Sequence, residues 1–522
     1  MASERTRETW QLRKPAVGGA AGLVASQHYF ASETGADVLR RGGNAVDAAI
    51  AAGFAIATVE PWMSGLGGGG YMLVYLAAED RSYTVEFPMV APRRLDPADY
   101  PLTGGRRLGD LFGWPTVLGD RNLLGYPAIA LPGYVAGMGL AHERFARLPW
   151  TELLAPAIAS AKAGMPVDWY ATLLISTGAR DLMHFDESRR VYLPDRMPPV
   201  VDWDGRMPRL KLGRLAETLE RLAGAGAGDF YQGEIAASLL ADLGAGGNRL
   251  AADDLAQYQA AITAAEQYSY RDATLWGPPS LTAGGTLRHA LALLAERWRP
   301  TARPDAEAYL AYAAALSDAF AFRLANLGDT GEGKAPSCTT HLSVVDRHGN
   351  MVALTQTLLS LFGSKVVLPG TGITMNNAIM WFDPTPGRPN SIRPGRRPLS
   401  NMTPTLLRRA DGSRTALGGS GGRRILPAVM QLVSFLTDYR LGLDVAIHTP
   451  RIDASGGETV AFDTALPADI QAALAARFAT DGRPHGVYPI SYACPNAVTW
   501  LRSGRQEGAA YVASPWAYVA AA

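Results

Sequence analysis

Two hydroxyl groups stand in contexts that could make them nucleophiles. Gly418, Ser420 and Gly422 form a Gly-x-Ser-x-Gly turn between the run TALGG and the apolar run that begins at Ile425, the strand, turn and helix setting of a nucleophile elbow. The Asp and His such an elbow needs would have to come from Asp444, Asp453, Asp463, His448 and His485 in the short remainder of the chain. The second candidate is Thr339, which opens the run TTHLSVVD directly after Cys338 and the polar stretch Gly328 to Ser337. A threonine hydroxyl inside a chain is a weak nucleophile, but one with a free α-amine carries its own base, with an ordinary pKa of about 7.7–8.0. A cut before Thr339 would create that base. By pattern alone, a Thr-Thr pair opening a strand reads as plain β-structure.

Other chemistries find little support. The eight histidines (28, 142, 184, 289, 341, 348, 448 and 485) are scattered without an HExxH or HxH spacing, so no metal site is expected. Gly65, Gly67 and Gly70 fit GxGxxG, but they lie between a helix and a strand, the reverse of the order a dinucleotide site requires. They read as a close-packed turn, and no cofactor is expected.

The elements that must position these residues follow from periodicity. ASETGADVLRRGGNAVDAAIAAGFAIATVEP spaces Ala, Val and Ile as two packed helices either side of a turn at Arg40 to Asn44, and Ala45 to Met63 reads as a buried helix. The turn Ser64 to Gly70 leads into YMLVYLA, a strand paired through the turn Glu79 to Arg81 with YTVEF. From Trp150 to Leu327 the pattern is mostly helical: ELLAPAIASAKAG, GRLAETLERLAGAG, EIAASLLADLG and AEAYLAYAAALSDAFAFRLANL each keep an apolar face. THLSVVD and MVALTQTLL then form a hairpin about Arg347 to Asn350, TALGG is a strand, Gly418 to Gly422 a tight turn, and ILPAVMQLVSFLTDYRL a long buried helix. There is no internal repeat.

The 522 residues carry 49 Lys+Arg against 48 Asp+Glu and are 48% hydrophobic, an ordinary globular balance with no field to steer nucleic acid or an anionic membrane. Two cysteines cannot build a disulfide framework, and the charged N-terminus lacks the apolar stretch of a secretory signal, so a cytoplasmic setting is expected. The apolar window Ala45 to Met63 contains Asp47, Glu60 and Pro61, which argues against a membrane span.

Four blocks in order, TTHLSVVDRHGNMVALTQT, MNNAIMWFDP, RRPLSNMTPT and GGSGGRRI, resemble the small-subunit core of the γ-glutamyltransferase family. GGNAVDAAIAAGFAIATVEP, SGLGGGGYM, ALPGYVAGM, DLAQYQA and YRDATLWGPP are similar to its large subunit, so the likeness runs from about Gly22 to Asp453. It implies an α+β, four-layered αββα sandwich of the N-terminal nucleophile hydrolase type, cut between Cys338 and Thr339 into a large (α) subunit, 1–338, and a small (β) subunit, 339–522, intertwined in one catalytic unit. By the same resemblance Thr339 is the nucleophile, Thr357 orients its hydroxyl, and the backbone amides of Gly421 and Gly422 form the oxyanion hole.

The chain also departs from that family. Where γ-glutamyl enzymes clamp the substrate α-carboxylate with Arg, the block EFPMVAP has Pro88; where they use Asn, Gln and Asp, it has Leu359, Ala378 and Trp381; of their paired serines Ser400 is kept and the second is Asn401. Each lost charge-assisted hydrogen bond costs about 1.5–3 kcal/mol. The expected enzyme is an amidohydrolase with an apolar, aromatic-walled acyl pocket, as in the cephalosporin-acylase-like branch of that family. Its partners would be a small-molecule amide and the second half of its own precursor, with a higher oligomer open. The alternatives are a γ-glutamyltransferase or glutathione hydrolase with Arg93 or Arg94 brought into the clamp's place, a catalytically silent small-ligand-binding protein, and a Ser420 hydrolase.

Overall fold

The computed structural model describes residues 12–106, 114–279, 281–327, 338–455 and 459–522. The polar stretch 328–337 lies outside the described residues. The two helices predicted near the start form at Tyr29–Arg40 and Ala45–Ala57. Asn44 starts the second, accepting from Val46 N at 2.8 Å and Asp47 N at 3.1 Å while the Asp47 carboxylate accepts from Asn44 N at 2.8 Å. Every residue of Ala45–Ala57 is buried, which explains its lack of a polar face.

Two seven-stranded sheets make the centre. One runs, in spatial order, Tyr518–Ala521, Gly22–Ser26, Cys338–Asp346, Met351–Leu359, Gly69–Leu76, Arg81–Phe87 and Ala261–Ala264. The other runs Val17–Gly19, Gln506–Ala510, Cys494–Trp500, Arg414–Ser420, Thr405–Arg408, Ala273–Gly277 and Glu266–Tyr270. Side-chain alternation sorts the first sheet into two faces. Leu23, Ala25, Leu73, Tyr75, Val345 and Ala353 meet Leu406, Ala416 and Val498 of the second sheet. Val24, Met72, Val74, Val344 and Leu354 turn outward onto Val38, Ile50 and Phe54 of the two early helices. The second sheet is covered on its far side by Gly284–Arg297, Ala306–Asn326 and Ile425–Thr437. The layers are αββα, as expected.

Three departures from the sequence reading stand out. The helical middle also contains the strands between Ala261 and Gly277, which supply an edge to each sheet. Gly418 to Ser420 belong to a strand, so the turn begins at Gly421. The helix from Ile425 ends at Thr437. No helix among the described residues is long and apolar enough to cross a membrane.

The glycine-rich turn before Gly69 has a steric reason. A Cβ on Gly68 would lie 2.2 Å from the carbonyl oxygen of Thr357, so only glycine lets this turn close against that strand. Gly65 faces open space. Gly68→Ala is therefore expected to destabilise the protein by about 1–3 kcal/mol, while Gly65→Ala stays within about 0.5 kcal/mol of wild type. Equal thermal midpoints for the two variants would refute the steric account.

Candidate active site

Thr339 sits second in the strand Cys338–Asp346, between Gly22–Ser26 and Met351–Leu359 in its sheet. The pairing slips beside it. Cys338 faces Leu359 and Thr340 faces Gln356, so two residues, Thr357 and Leu358, stand opposite the single Thr339. Leu359 N–H donates to Thr357 Oγ1 at 2.8 Å, and Leu358 N–H to Met63 O at 2.9 Å. Thr339 and Thr357 are both fully buried.

The turn expected to hold an anion ends a strand of the opposite sheet. Gly421 has φ 132° and Gly422 φ 66°, conformations that L side chains rarely adopt, and a Cβ on Gly421 would come within 2.8 Å of Ala493 Cα. The helix Ile425–Thr437 follows at once, with its positive dipole end toward the turn. Ser420 Oγ accepts from the Gln27 amide, a group with no basicity to offer, so the structure does not assemble an elbow around it. His341, the imidazole nearest this strand, spends Nδ1 on Thr355 Oγ1 at 2.8 Å and Nε2 on Ser343 Oγ at 3.0 Å. Burial lowers its pKa to about 3, so it is neutral.

Leu359, Ala378 and Trp381, predicted from scattered positions, pack into one apolar cluster with Met89, Tyr71, Leu399 and Met402. Pro88 is buried next to Met89, and its carbonyl accepts from Tyr258 Oη at 2.7 Å. Leu359 carries φ 91° at the strand's end, a strained conformation for a branched side chain. Arg93 lines a cavity beside Pro88, and both it and Arg94 have carboxylate partners. They are half-exposed or more and turn to Asp254 at 3.9 Å and Asp253 at 3.4 Å.

Ser400 and Asn401 are held from behind by Arg323, which is fully buried. Its guanidinium donates to Ser400 O at 2.7 Å, Asn401 Oδ1 at 3.0 Å, Thr282 O at 2.9 Å and Thr286 Oγ1 at 3.0 Å. Burial, with Arg423 adding like charge, lowers its pKa to about 9. Asn401 Nδ2 and Trp381 Nε1 are buried without a hydrogen-bond partner among the described residues. Asn376 fixes the loop before Ala378, donating to Gly67 O and Ala130 O and accepting from Ala130 N and Ala378 N, all within 2.7–3.1 Å. Gln27, Glu60 and Arg323 are contributors the sequence reading missed, because nothing in their local spacing marks them. No group of acidic, His and Cys side chains able to hold a metal occurs among the described residues.

The sequence matches the family model described as gamma-glutamyltranspeptidase over residues 31–338 and 331–510. It is 32% identical over 504 residues to the Acylase ACY 1 proenzyme of Pseudomonas sp. (strain SE83), covering 89% of this chain and 88% of that protein. It is 30% identical to the Glutathione hydrolase proenzyme of Escherichia coli (strain K12), covering 82% of this chain and 80% of that protein. The crystal structure of cephalosporin acylase from Bacillus halodurans superposes with a TM-score of 0.85 at 22% identity, over 100% of this chain and 99% of that one. The sandwich is thus the N-terminal nucleophile hydrolase fold, and the chain belongs to the gamma-glutamyltranspeptidase family.

Proposed function

We propose that this chain is a precursor that cuts itself between Cys338 and Thr339, and that the freed Thr339 then hydrolyses amides bearing an apolar acyl group. The observation that carries the reading is the cluster of Leu359, Ala378, Trp381 and Met89 where a glutamyl zwitterion would need paired charges. The Pseudomonas relative is named an acylase proenzyme, which supports the same choice. A reducing, cytoplasmic setting belongs to the reading, supported by a content of two cysteines.

In the mature enzyme Thr339 Oγ attacks the amide carbonyl and its proton passes to the new α-amine, which returns it to the leaving nitrogen. The amides of Gly421 and Gly422 take up the oxyanion, at a turn whose geometry is set before substrate binds. Thr357 orients the attacking hydroxyl from the bulged strand. Water then attacks the acyl-Thr339 ester, giving up a proton to the same amine and releasing the acid. Pro88, Leu359, Ala378 and Trp381 line the acyl side, while Ser400 and Asn401 close it.

Dividing 55.6 kDa in the ratio 338 to 184 gives fragments of about 36 and about 20 kDa, the smaller with Thr at its new N-terminus. Denaturing mass spectrometry is expected to find them in wild type and a single chain in Thr339→Ala. Fragments in both would remove Thr339 from the reaction, and a single chain in both would remove the amine base. On γ-glutamyl-p-nitroanilide beside aliphatic and aromatic acyl anilides, kcat/KM is expected to be lower for the glutamyl substrate by about 10-fold or more, the value of one lost charge-assisted bond. Efficient glutamyl release would favour a glutathione hydrolase or transferase instead.

A further inference from the structure

Gln27 follows the strand Gly22–Ser26 and is buried at the seam between the sheets. Its carboxamide is used at both ends. Oε1 accepts from Thr340 Oγ1 at 2.8 Å, and Nε2 donates to Ser420 Oγ. Thr340 is the residue after Thr339, on the opposite face of the same strand. Ser420 is the residue before Gly421, at the end of a strand in the other sheet. One side chain therefore ties the strand of the nucleophile to the turn of the oxyanion hole.

A fourth group orients this chain. Glu60 Oε2 lies 3.5 Å from Thr340 Oγ1. Glu60 is buried at the foot of the helix Ala45–Ala57, and among the described residues no Lys, Arg or His forms an ion pair with it. The charged or titratable groups facing it are Asp168, at the start of the helix Trp169–Leu182, and Cys494, on the strand Cys494–Trp500. Lys14, Arg424 and Arg451 face that thiol in turn. Burial, with Asp168 adding to it, pushes the Glu60 carboxyl up to about 8. A protonated Glu60 can donate to Thr340 Oγ1, leaving the single Thr340 proton for Gln27. An ionised Glu60 competes with Gln27 for that proton.

Building on the function proposed above, we propose that Gln27 is a positioning residue. Through Thr340 and Ser420 it holds Thr339 against the amides of Gly421 and Gly422, with Glu60 setting the direction of the hydrogen-bond chain. Because the device acts on the geometry of the transition state, its loss should lower kcat more than it raises KM.

The test uses the full-length chain as Gln27→Leu, Ser420→Ala and the double variant, with self-cleavage followed by mass and kcat and KM measured on an aliphatic acyl anilide. Each single variant is expected to slow cleavage and lower kcat by about 10-fold, with KM within about 2-fold. The double variant should be no slower than the worse single by more than about 2-fold, since both remove one linkage. Wild-type kcat in both singles, or losses that multiply, would overturn the proposal. Should Gln27→Leu fail to fold, Ser420→Ala carries the same comparison alone. An uncut wild-type chain would overturn the parent reading and this one with it, whereas a wild type that cuts no faster than Gln27→Leu would overturn this one alone.

Glu60 has its own readout in the uncut Thr339→Ala chain. Folded, it keeps its proton to about pH 8, and unfolded it releases it near its ordinary 4.5. Between those values the folded state binds the extra proton, so this contribution is complete below the window and stability falls as pH rises through it. Adding Glu60→Gln should remove a slope on the order of one proton from the urea-unfolding free energy between pH 5 and 8. An unchanged slope would remove Glu60 from the device.

Discussion

In the function proposed above, one constraint governs the architecture: a reactive hydroxyl at the head of a central strand must face a glycine turn that belongs to a different sheet. Gln27, Thr340 and Ser420 at this seam are buried, so their polar atoms need partners inside the protein. Gln27 meets that need with a single carboxamide, accepting from Thr340 and donating to Ser420. The apolar layer beside it, with Leu23, Val345, Ala353 and Val498, fixes how far apart the sheets lie. The polar bridge fixes how they align. Hydrophobic packing has no direction and could not do the second job.

Charge is handled with the same economy around the proposed acyl pocket. Arg323 is a buried cation with no carboxylate among its hydrogen-bond acceptors in the described residues; carbonyls, a hydroxyl and an amide oxygen satisfy it instead. That arrangement ties Ser400 and Asn401 to the helix Ala306–Asn326. It also leaves Asn401 Nδ2 and Trp381 Nε1 as donors in an otherwise apolar lining. An enzyme binding a zwitterion needs fixed charges of both signs, and Arg93 and Arg94 are already paired with Asp254 and Asp253.

Local pattern made part of this legible. The two early helices, the hairpin about Arg347 to Asn350 and the TALGG part of the strand Arg414–Ser420 follow from periodicity and turn residues, because each is stabilised largely by what its own sequence can bury. The short strands Ala261–Ala264 and Glu266–Tyr270 escaped because edge strands are half-exposed and lack a continuous apolar face. The Gly-x-Ser-x-Gly match was misleading as an elbow, since the role of Ser420 is set by Gln27, 393 positions earlier in the chain. Glu60 and Arg323 were invisible for the same reason. A buried charged residue announces nothing in its own segment, and its environment is built by distant strands.

Leu359 shows how such a site can change its chemistry without changing its frame. The bulge that sets two residues opposite Thr339 ends in a left-handed conformation, φ 91°, that a small polar residue such as Asn tolerates better than leucine does. Keeping leucine there carries a strain of order 1–3 kcal/mol. Its return is full burial against Ala378, Trp381 and Met89, which at about 25 cal/mol per Å² of apolar surface offsets a strain of that size. The backbone that presents Thr357 to the nucleophile is thus compatible with either a polar or an apolar residue two positions on. In the function proposed above, selectivity for the acyl group therefore rests on side chains hung from this loop, while the hydroxyl of Thr339 and the glycine turn are positioned by sheet register and by the proposed bridge between the sheets.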